Sequence, residues 1–592
     1  MKNNLKIWPK EKMEHEEKTN QKEKMEHEET SNQTEKINKK QEMNQKEKKA
    51  NCKKEKGKSE ERKKINKKLM FFIIIAACYL PAFIAFCPVI FNYDGPDELY
   101  ALANDVQPYI YTLLIRILAM ISVKLFNNVD VGMCILAIIQ EIAAIYAFTR
   151  MCDFIDKEFN KKWLTIMSLL FFALFPYNAL MPLMTTKDSL FTSMLILSII
   201  NIYELIKTKK AKYEKAVQLI ICIIELIMAL LLRTNFKYAL VVCTLILAVY
   251  LLAKKIRERK NITDKKIVID NKNTINNKII TDNQNTEKCI NKSKERNLHT
   301  ILIAFIVTII LGSIFNQILM VLLKPVKMAE REKYNIFAQS VANIINKKEN
   351  DLTAEEKQKI EKYYIGGIDQ IKSQYSPKLS DPIKNRVNLE SVEKNRADYI
   401  KFSISLMMKY KKEAIESFIN TNKGYFDFTD ETFGEIYPNK INRGIFELYT
   451  VMLRLATERN LKDETNHVSS YINEKALDGM SIDTYRVHEF NLLEPVKHAY
   501  KEMFTENKVL RIPVINIIFK PALYFYLTLI ALVYSIIKRK TEHVLTLILV
   551  SLYMATLLLG PCVLVRYIYP MIAILPLTIS TFLKNANKND NL

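Results

Sequence analysis

Apolar residues in this chain come in blocks separated by charged loops. About ten of the blocks are long enough to cross a bilayer or nearly so: residues 69–91, 131–148, 163–180, 190–206, 216–232, 238–253, 300–323, 522–537, 544–559 and 567–583. A further block, 109–126, is apolar but carries Arg116 and Lys124. Loop charge decides how to treat it. If 109–126 lies along the outer leaflet as an amphipathic helix, the basic loops 150–162, 207–215, 254–297, 538–540 and 584–588 all face inward. The acidic or nearly neutral loops 94–105, 182–188, 233–237 and 560–566 then all face outward. If it crosses, the positive-inside pattern inverts after the first span. The sequence therefore predicts an interfacial helix there, with both termini cytoplasmic.

Between the blocks lie three polar regions. Residues 1–68 are rich in Lys, Glu, Asn and Gln and contain a near repeat, 11–17 and again 23–29. With so few apolar side chains this tail is expected to be disordered. Its polar character, and a first apolar block too long for an h-region, predict no cleavable signal peptide. Residues 254–297 are Asn/Lys-rich and read as a disordered cytoplasmic insertion. Residues 324–520 form the third region, extracellular by parity and mainly helical. Thr353 reads as an N-cap ahead of Ala354-Glu355-Glu356, residues 399–408 as an amphipathic helix, and Tyr425-Phe426-Asp427-Phe428 as an aromatic loop. The expected organisation is a tail (1–68), a membrane module (69–323), the extracellular domain (324–520) and C-terminal membrane helices (521–592).

Composition sharpens this in two places. The net charge of +23 could suggest nucleic acid. The lysines, however, concentrate in the tail and the short loops, where they set topology and favour an anionic leaflet. Of nine cysteines, Cys78, Cys87, Cys134, Cys222, Cys243 and Cys562 lie in or beside apolar blocks, and none lies in 324–520. That domain therefore has no disulfide, and no cysteine spacing suggests zinc.

Candidate chemistry gathers at the outer loops. Asp94, Asp97 and Glu98 follow the first span directly. One reading is structural: Asp94 caps a helix, Pro96 opens it, and Asp97 and Glu98 complement its dipole. The other is chemical: a carboxylate at the water–lipid boundary can act as general base on a lipid-linked substrate. Lys187-Asp188 begin the fourth span, Arg233 with Asn235 and Lys237 follows the fifth, and Arg566-Tyr567 precede the last. Singly, boundary cations anchor to headgroups. Together on one face they suit a phosphate, with a carboxylate to deprotonate an acceptor hydroxyl. Inside the spans, Gln140, Glu141 and Glu225 are costly, and line either a helix interface or an ion path. His467, His488 and His498 are scattered and read as structural.

Asp97-Glu98-Leu99-Tyr100-Ala101, followed by Gln107-Pro108-Tyr109-Ile110-Tyr111-Thr112-Leu113-Leu114, resembles the start of GT-C fold glycosyltransferases of the family-39 type. There an acidic motif precedes a juxtamembrane helix opening on a basic residue and proline. Gln107 departs from that basic residue. Lys187-Asp188-Ser189-Leu190-Phe191 is similar to the second acidic loop of the fold. A closer resemblance is to an uncharacterised bacterial family of GT-C-like polytopic membrane proteins. It rests on Tyr93-Asp94-Gly95-Pro96, Arg233-Thr234-Asn235, Tyr375-Ser376-Pro377 with Asp381-Pro382-Ile383-Lys384, Gly424-Tyr425-Phe426, and Gly560-Pro561 with Arg566-Tyr567. Phe236 replaces an expected small residue. One alignment makes Asp97 the key acid, the closer one Asp94.

The fold implied is an all-α, polytopic, GT-C-like bundle in the cell membrane. The function implied is transfer of a sugar from a polyprenyl-phosphate donor to a cell-envelope glycan or lipid, with inversion. Asp94 or Asp97 would act as base. Lys187, Arg233 and Arg566, with Tyr567, would hold the phosphate, Asp188 would orient Lys187 or bind acceptor, and Glu98 would bind substrate. A monophosphate donor need not require a metal, so no cofactor is expected. Three other classes stay open. A polysaccharide polymerase or ligase would rely on paired arginines in a large outer loop. A transporter would need Glu141 and Glu225 on a central path and internal repeats. A non-catalytic envelope protein would use the same charges as anchors.

Overall fold

A computed structural model describes residues 66–90, 95–100, 107–208, 211–269, 278–325, 329–429, 487–488, 490, 492–505 and 512–583. Residues 1–65 of the expected tail 1–68, Asp94 and His467 lie outside the described residues. The chain divides into two units, Met1–Met70 and Phe71–Leu592. Only the start of α1 (Asn66–Ala85) is described in the first. The second is helical, and among its described residues β-pairing is limited to isolated bridges.

Among the described residues, seven helices are long and apolar enough to cross a membrane, and this is an all-α, multi-pass membrane protein. They are α1, α3 (Tyr109–Phe126), α4 (Asp130–Phe159), α7 (Lys187–Lys207), α8 (Lys212–Leu232), α9 (Thr234–Ile269) and α10 (Lys278–Leu323). Short α2 (Gly95–Tyr100) precedes α3. The helix that loop charges predict along the outer leaflet, α3, is itself long enough to cross. It packs antiparallel to α4: the Tyr111 hydroxyl donates to Gln140 Oε1 (2.9 Å), and Gly132 N donates to Ser122 Oγ (2.9 Å). Gly132 permits that approach, because a Cβ there would stand 2.4 Å from the Leu118 carbonyl oxygen.

Prolines reshape two expected spans. The block 163–180 is bent by 54° between α5 (Lys162–Leu174) and α6 (Pro176–Leu180), which runs into a 3₁₀ turn at Met181–Leu183. Pro176 has no N–H to continue the ladder, so the chain turns there. The block 567–583 likewise becomes two short helices around Pro570 and Pro576. The charged insertion 254–297 also differs from expectation, since α9 runs on to Ile269 and α10 starts at Lys278. Lys and Glu are good helix formers, and Lys254 pairs with Glu295 at 3.0 Å across the two helices.

The core is built around α7, buried over nearly its whole surface. Its hydroxyl residues turn inward on their own helix: Thr192 donates to the Asp188 carbonyl (2.7 Å) and Ser193 to the Ser189 carbonyl (2.9 Å). Such back-bonding satisfies a hydroxyl where no water reaches. The intramembrane amides and acids hold helices together. Gln140 Nε2 donates to the Pro182 (2.7 Å) and Met184 (2.9 Å) carbonyls freed by the broken turn, and Glu225 accepts from Asn201 (2.8 Å).

The region inserted between α10 and the C-terminal helices has its own core. It comprises α11 (Asn335–Lys348), α12 (Ala354–Tyr363), α13 (Gly367–Gln374), α14 (Asp381–Lys384), α15 (Leu389–Lys394), α16 (Arg396–Lys409) and α17 (Lys411–Phe426). Buried Tyr399 meets Tyr334 and Tyr363 edge to face, with centroids 5.1 and 5.3 Å apart. Thr353 and Glu356 form a reciprocal capping box on α12. Tyr425 and Phe426, expected in a loop, are instead the last turn of α17. Tyr425 is fully buried among membrane-helix side chains, and that burial is what carries the helix through.

After α18 (Glu494–Thr505) and α19 (Pro513–Phe519), the chain returns through α20 (Pro521–Ile537), α21 (Thr541–Leu557), α22 (Val565–Ala573) and α23 (Leu575–Ser580). A helix leaves its last carbonyls unpaired. Just past the end of α21, Asn422 donates to the Leu558 carbonyl (3.1 Å) and Asn335 to the Leu559 carbonyl (3.1 Å). Ser380 N reaches the Pro561 carbonyl at 3.0 Å. The inserted region thus grips the turn that leads to Arg566.

Candidate functional site

Backbone pairing sets the site. Ile90 N donates to the Leu183 carbonyl (2.8 Å), and Thr185 N donates to the Ile90 carbonyl (3.0 Å). The chain four residues before Asp94 is therefore tied to the turn that presents Lys187 and Asp188. Thr186 caps α7 through Asp188 N, and its hydroxyl donates to Asp188 Oδ2 at 2.8 Å.

From this turn two arms extend. On one, the buried Lys187 ammonium donates to Gln107 Oε1 (2.5 Å) and stands 3.7 Å from Glu98 Oε1. Arg116 Nε donates to the Glu98 backbone carbonyl at 3.1 Å. On the other, Asp188 accepts a hydrogen bond from the Arg233 guanidinium, which leaves the end of α8 in an extended conformation. Arg233 lies over the Tyr567 ring at 5.0 Å, and Arg566 faces the same ring at 5.1 Å. Tyr553 donates to the Tyr567 carbonyl (3.4 Å). Lys187 and Asp188 are consecutive, so both arms form one connected set. Glu98, Lys187, Asp188, Arg233, Arg566 and Tyr567 are thereby brought together at one end of the bundle. The side chain of Asp97, like the whole of Asp94, lies outside the described residues.

Among the described residues four cations (Arg116, Lys187, Arg233, Arg566) meet two carboxylates (Glu98, Asp188). Burying a charge costs heavily unless it is paired, and the Arg233–Asp188 contact provides that pairing. Two donors are still over: among the described residues, Arg233 Nε and the Tyr425 hydroxyl are buried without a hydrogen-bond partner. Tyr425 stands within electrostatic reach of Arg233. It gets there because Gly424 lets α17 close on Val563, whose Cγ1 would lie 3.0 Å from any added Cβ. A buried guanidinium edge and a buried hydroxyl can together donate to an anionic oxygen.

Gln107, Thr186, Tyr425 and Tyr553 complete the cluster without having been singled out for it. Gln107 accepts a hydrogen bond from Lys187. A cation at 107 would face another cation. Phe236 fills the core edge to face with Phe191 (5.5 Å) and Tyr553 (6.4 Å). The other expectations lie elsewhere. His488 binds Asp130 through its backbone N (2.8 Å) and Nδ1 (2.9 Å), and His498 neighbours Glu502 at 3.9 Å. Among the described residues no three His, Cys, Asp or Glu side chains converge as metal ligands would.

A family model described as a family of unknown function (DUF6020) matches residues 96–264 and 292–591. No curated protein and no solved structure matches the chain.

Proposed function

The chain belongs to this family of unknown function, and we propose that it is a membrane glycosyltransferase acting on a polyprenyl-phosphate-linked sugar. One observation carries the reading. Lys187, Arg233 and Arg566 come from three separate helix ends, yet share one largely buried, connected cluster with Glu98 and Asp188. Snorkelling anchors would point apart into headgroups. A cluster of cations suits a group that gains negative charge as a bond breaks.

In this reading the cluster and the inserted domain face the outside of the cell membrane, and both termini are cytoplasmic. Asp94, or Asp97, takes the proton of an acceptor hydroxyl on an envelope glycan or lipid. The hydroxyl oxygen attacks the anomeric carbon from the face opposite the phosphate, and the configuration inverts. The sugar–phosphate bond breaks, and the cations stabilise the polyprenyl phosphate that leaves. Glu98 and Gln107 orient Lys187, as Asp188 orients Arg233.

The test is label transfer in membranes from a panel of polyprenyl-phosphate sugars. Wild type is expected to transfer from at least one donor, and Asn at the basic carboxylate (Asp94→Asn or Asp97→Asn) to slow transfer by about 10²–10⁴-fold. Transfer that survives both substitutions would favour a polymerase or ligase. No transfer from any donor would leave the cluster as an anchor of the bundle.

A further inference from the structure

By its place in the sequence, Arg116 is a charge that marks 109–126 as interfacial, and a charge of that kind snorkels toward headgroups. In the structure it has a different task. Arg116 sits two turns into α3, half-buried, and its Nε donates to the backbone carbonyl of Glu98 at 3.1 Å. That carbonyl lies near the end of the six-residue α2, where a helix has no amide of its own to offer it. The side chain of the same residue is fully buried and stands 3.7 Å from the Lys187 ammonium. Residue 98 is therefore held twice, by its backbone from α3 and by its carboxylate from α7. The entry to α3 closes the arrangement, because Gln107 accepts from Lys187 at 2.5 Å. A helix as short as α2 is not stable alone. Its place is set by what grips it, and it carries Asp97 and Glu98.

We propose that Arg116 is a positioning residue, which fixes α2, and through it the carboxylates at 97 and 98, against Lys187. The proposal rests on the glycosyltransferase reading and deepens it. Arg116 acts through the Glu98 backbone rather than on the substrate, and it acts as a hydrogen-bond donor rather than as a charge. A base works only within hydrogen-bond reach of the proton that it removes. A misplacement of about 1 Å, caused by a change away from the chemistry, can cost about 10²-fold in rate.

Two variants separate donor from charge. Arg116→Met removes both. Arg116→Gln removes the charge but keeps an N–H donor at the side-chain position that Nε occupies. Hydrogen exchange at the amides of residues 97–100 in the purified full-length proteins reads the grip on α2 without any activity. It is expected to be faster than wild type in Arg116→Met and close to wild type in Arg116→Gln, with exchange over α7 unchanged in both. Label transfer reads the consequence. Arg116→Met should lower kcat by about 10²-fold with the donor KM unchanged, and Arg116→Gln should keep most of the wild-type kcat. Exchange at 97–100 that is the same in Arg116→Met as in wild type would overturn the proposal. So would a raised donor KM in either variant, the mark of a residue that binds the phosphate itself. Arg116→Gln decides the matter even if Arg116→Met fails to fold, since loss of either exchange protection or kcat there would show that the charge is what counts. Absence of transfer by wild type would sink the glycosyltransferase reading alone, and the exchange result would still decide whether Arg116 holds α2.

Discussion

Asp188 shows how a single residue serves both packing and chemistry. It accepts from the hydroxyl of Thr186, the cap of α7, and neutralises a largely buried Arg233. Removing one partner of a buried pair leaves the other charge uncompensated, which costs about 3–5 kcal/mol, whereas a hydrophobic replacement of both is often neutral. Asp188→Ala should therefore lower the thermal midpoint in detergent clearly, and Asp188→Leu with Arg233→Met should recover most of it. If the cluster holds a phosphate, that double variant stays inactive in label transfer despite its recovered stability. Recovered activity would make the pair purely structural. The residue types here were legible in the sequence, since charges at the ends of apolar blocks demand a reason. Their partners were not. Gln107 and Lys187, or Tyr425 and Arg233, lie too far apart in the chain for any periodicity to pair them.

Helices were legible where one pattern governed them. The block 190–206 became α7, and Thr353 was identifiable as a cap because its capping-box partner Glu356 is local. Blocks containing proline were less so: hydropathy counts apolar residues but not missing N–H groups, so the 54° bend at Pro176 was hidden. Close helix approach was also hidden, because it depends on what lies opposite a glycine. Gly132→Ala illustrates the balance. In a helix interior the change alone would gain roughly 0.5–1 kcal/mol. The new Cβ, at 2.4 Å from the Leu118 carbonyl and 2.9 Å from Ser122 Cβ, forces α3 and α4 apart at a cost of about 1–3 kcal/mol. A net loss of stability is expected in thermal unfolding, and an unchanged or higher midpoint would show that the hairpin can relax.

The inserted helices offer a test by pH. Tyr363 donates to Asp398 Oδ2 at 2.5 Å, and Lys359 stands 3.4 Å from Oδ1. The Tyr363 hydroxyl, against burial and with Lys359 adding its charge, holds the Asp398 carboxyl below its ordinary value. A carboxylate depressed on folding contributes stability that is present above its unfolded value and lost as pH falls through its folded one. Tyr363 itself is pushed up to about 12, by burial first and Asp398 second. Its share is therefore present below the ordinary tyrosine value and lost as pH rises toward 12. Tyr363→Phe should be less stable than wild type at neutral pH, and that difference should shrink as pH falls toward 3. A difference independent of pH would mean that the hydroxyl contributes by packing alone.

At the scale of the whole molecule, the account depends on one face. The inserted region grips the turn after α21 through Asn335, Ser380 and Asn422, and that turn leads into Arg566. The ladder at Ile90 ties the start of the acidic stretch to Lys187 by backbone alone. Charge bias in the loops anticipated this grouping because basic and acidic loops separated cleanly. That bias alone favoured an interfacial helix at 109–126, although α3 is long enough to cross a membrane.

Impermeant maleimide labelling of intact cells carrying Asn92→Cys or Ser373→Cys, read as the increment over wild type, tests the shared face most directly. Position 92 sits beside Asp94 in the chain, and exposed Ser373 belongs to the region that holds the Arg566 turn. The account predicts that both positions label before the cells are permeabilised. Labelling of one only after permeabilisation, with the other labelled before it, would put the acids and the cations on opposite sides of the bilayer and contradict it.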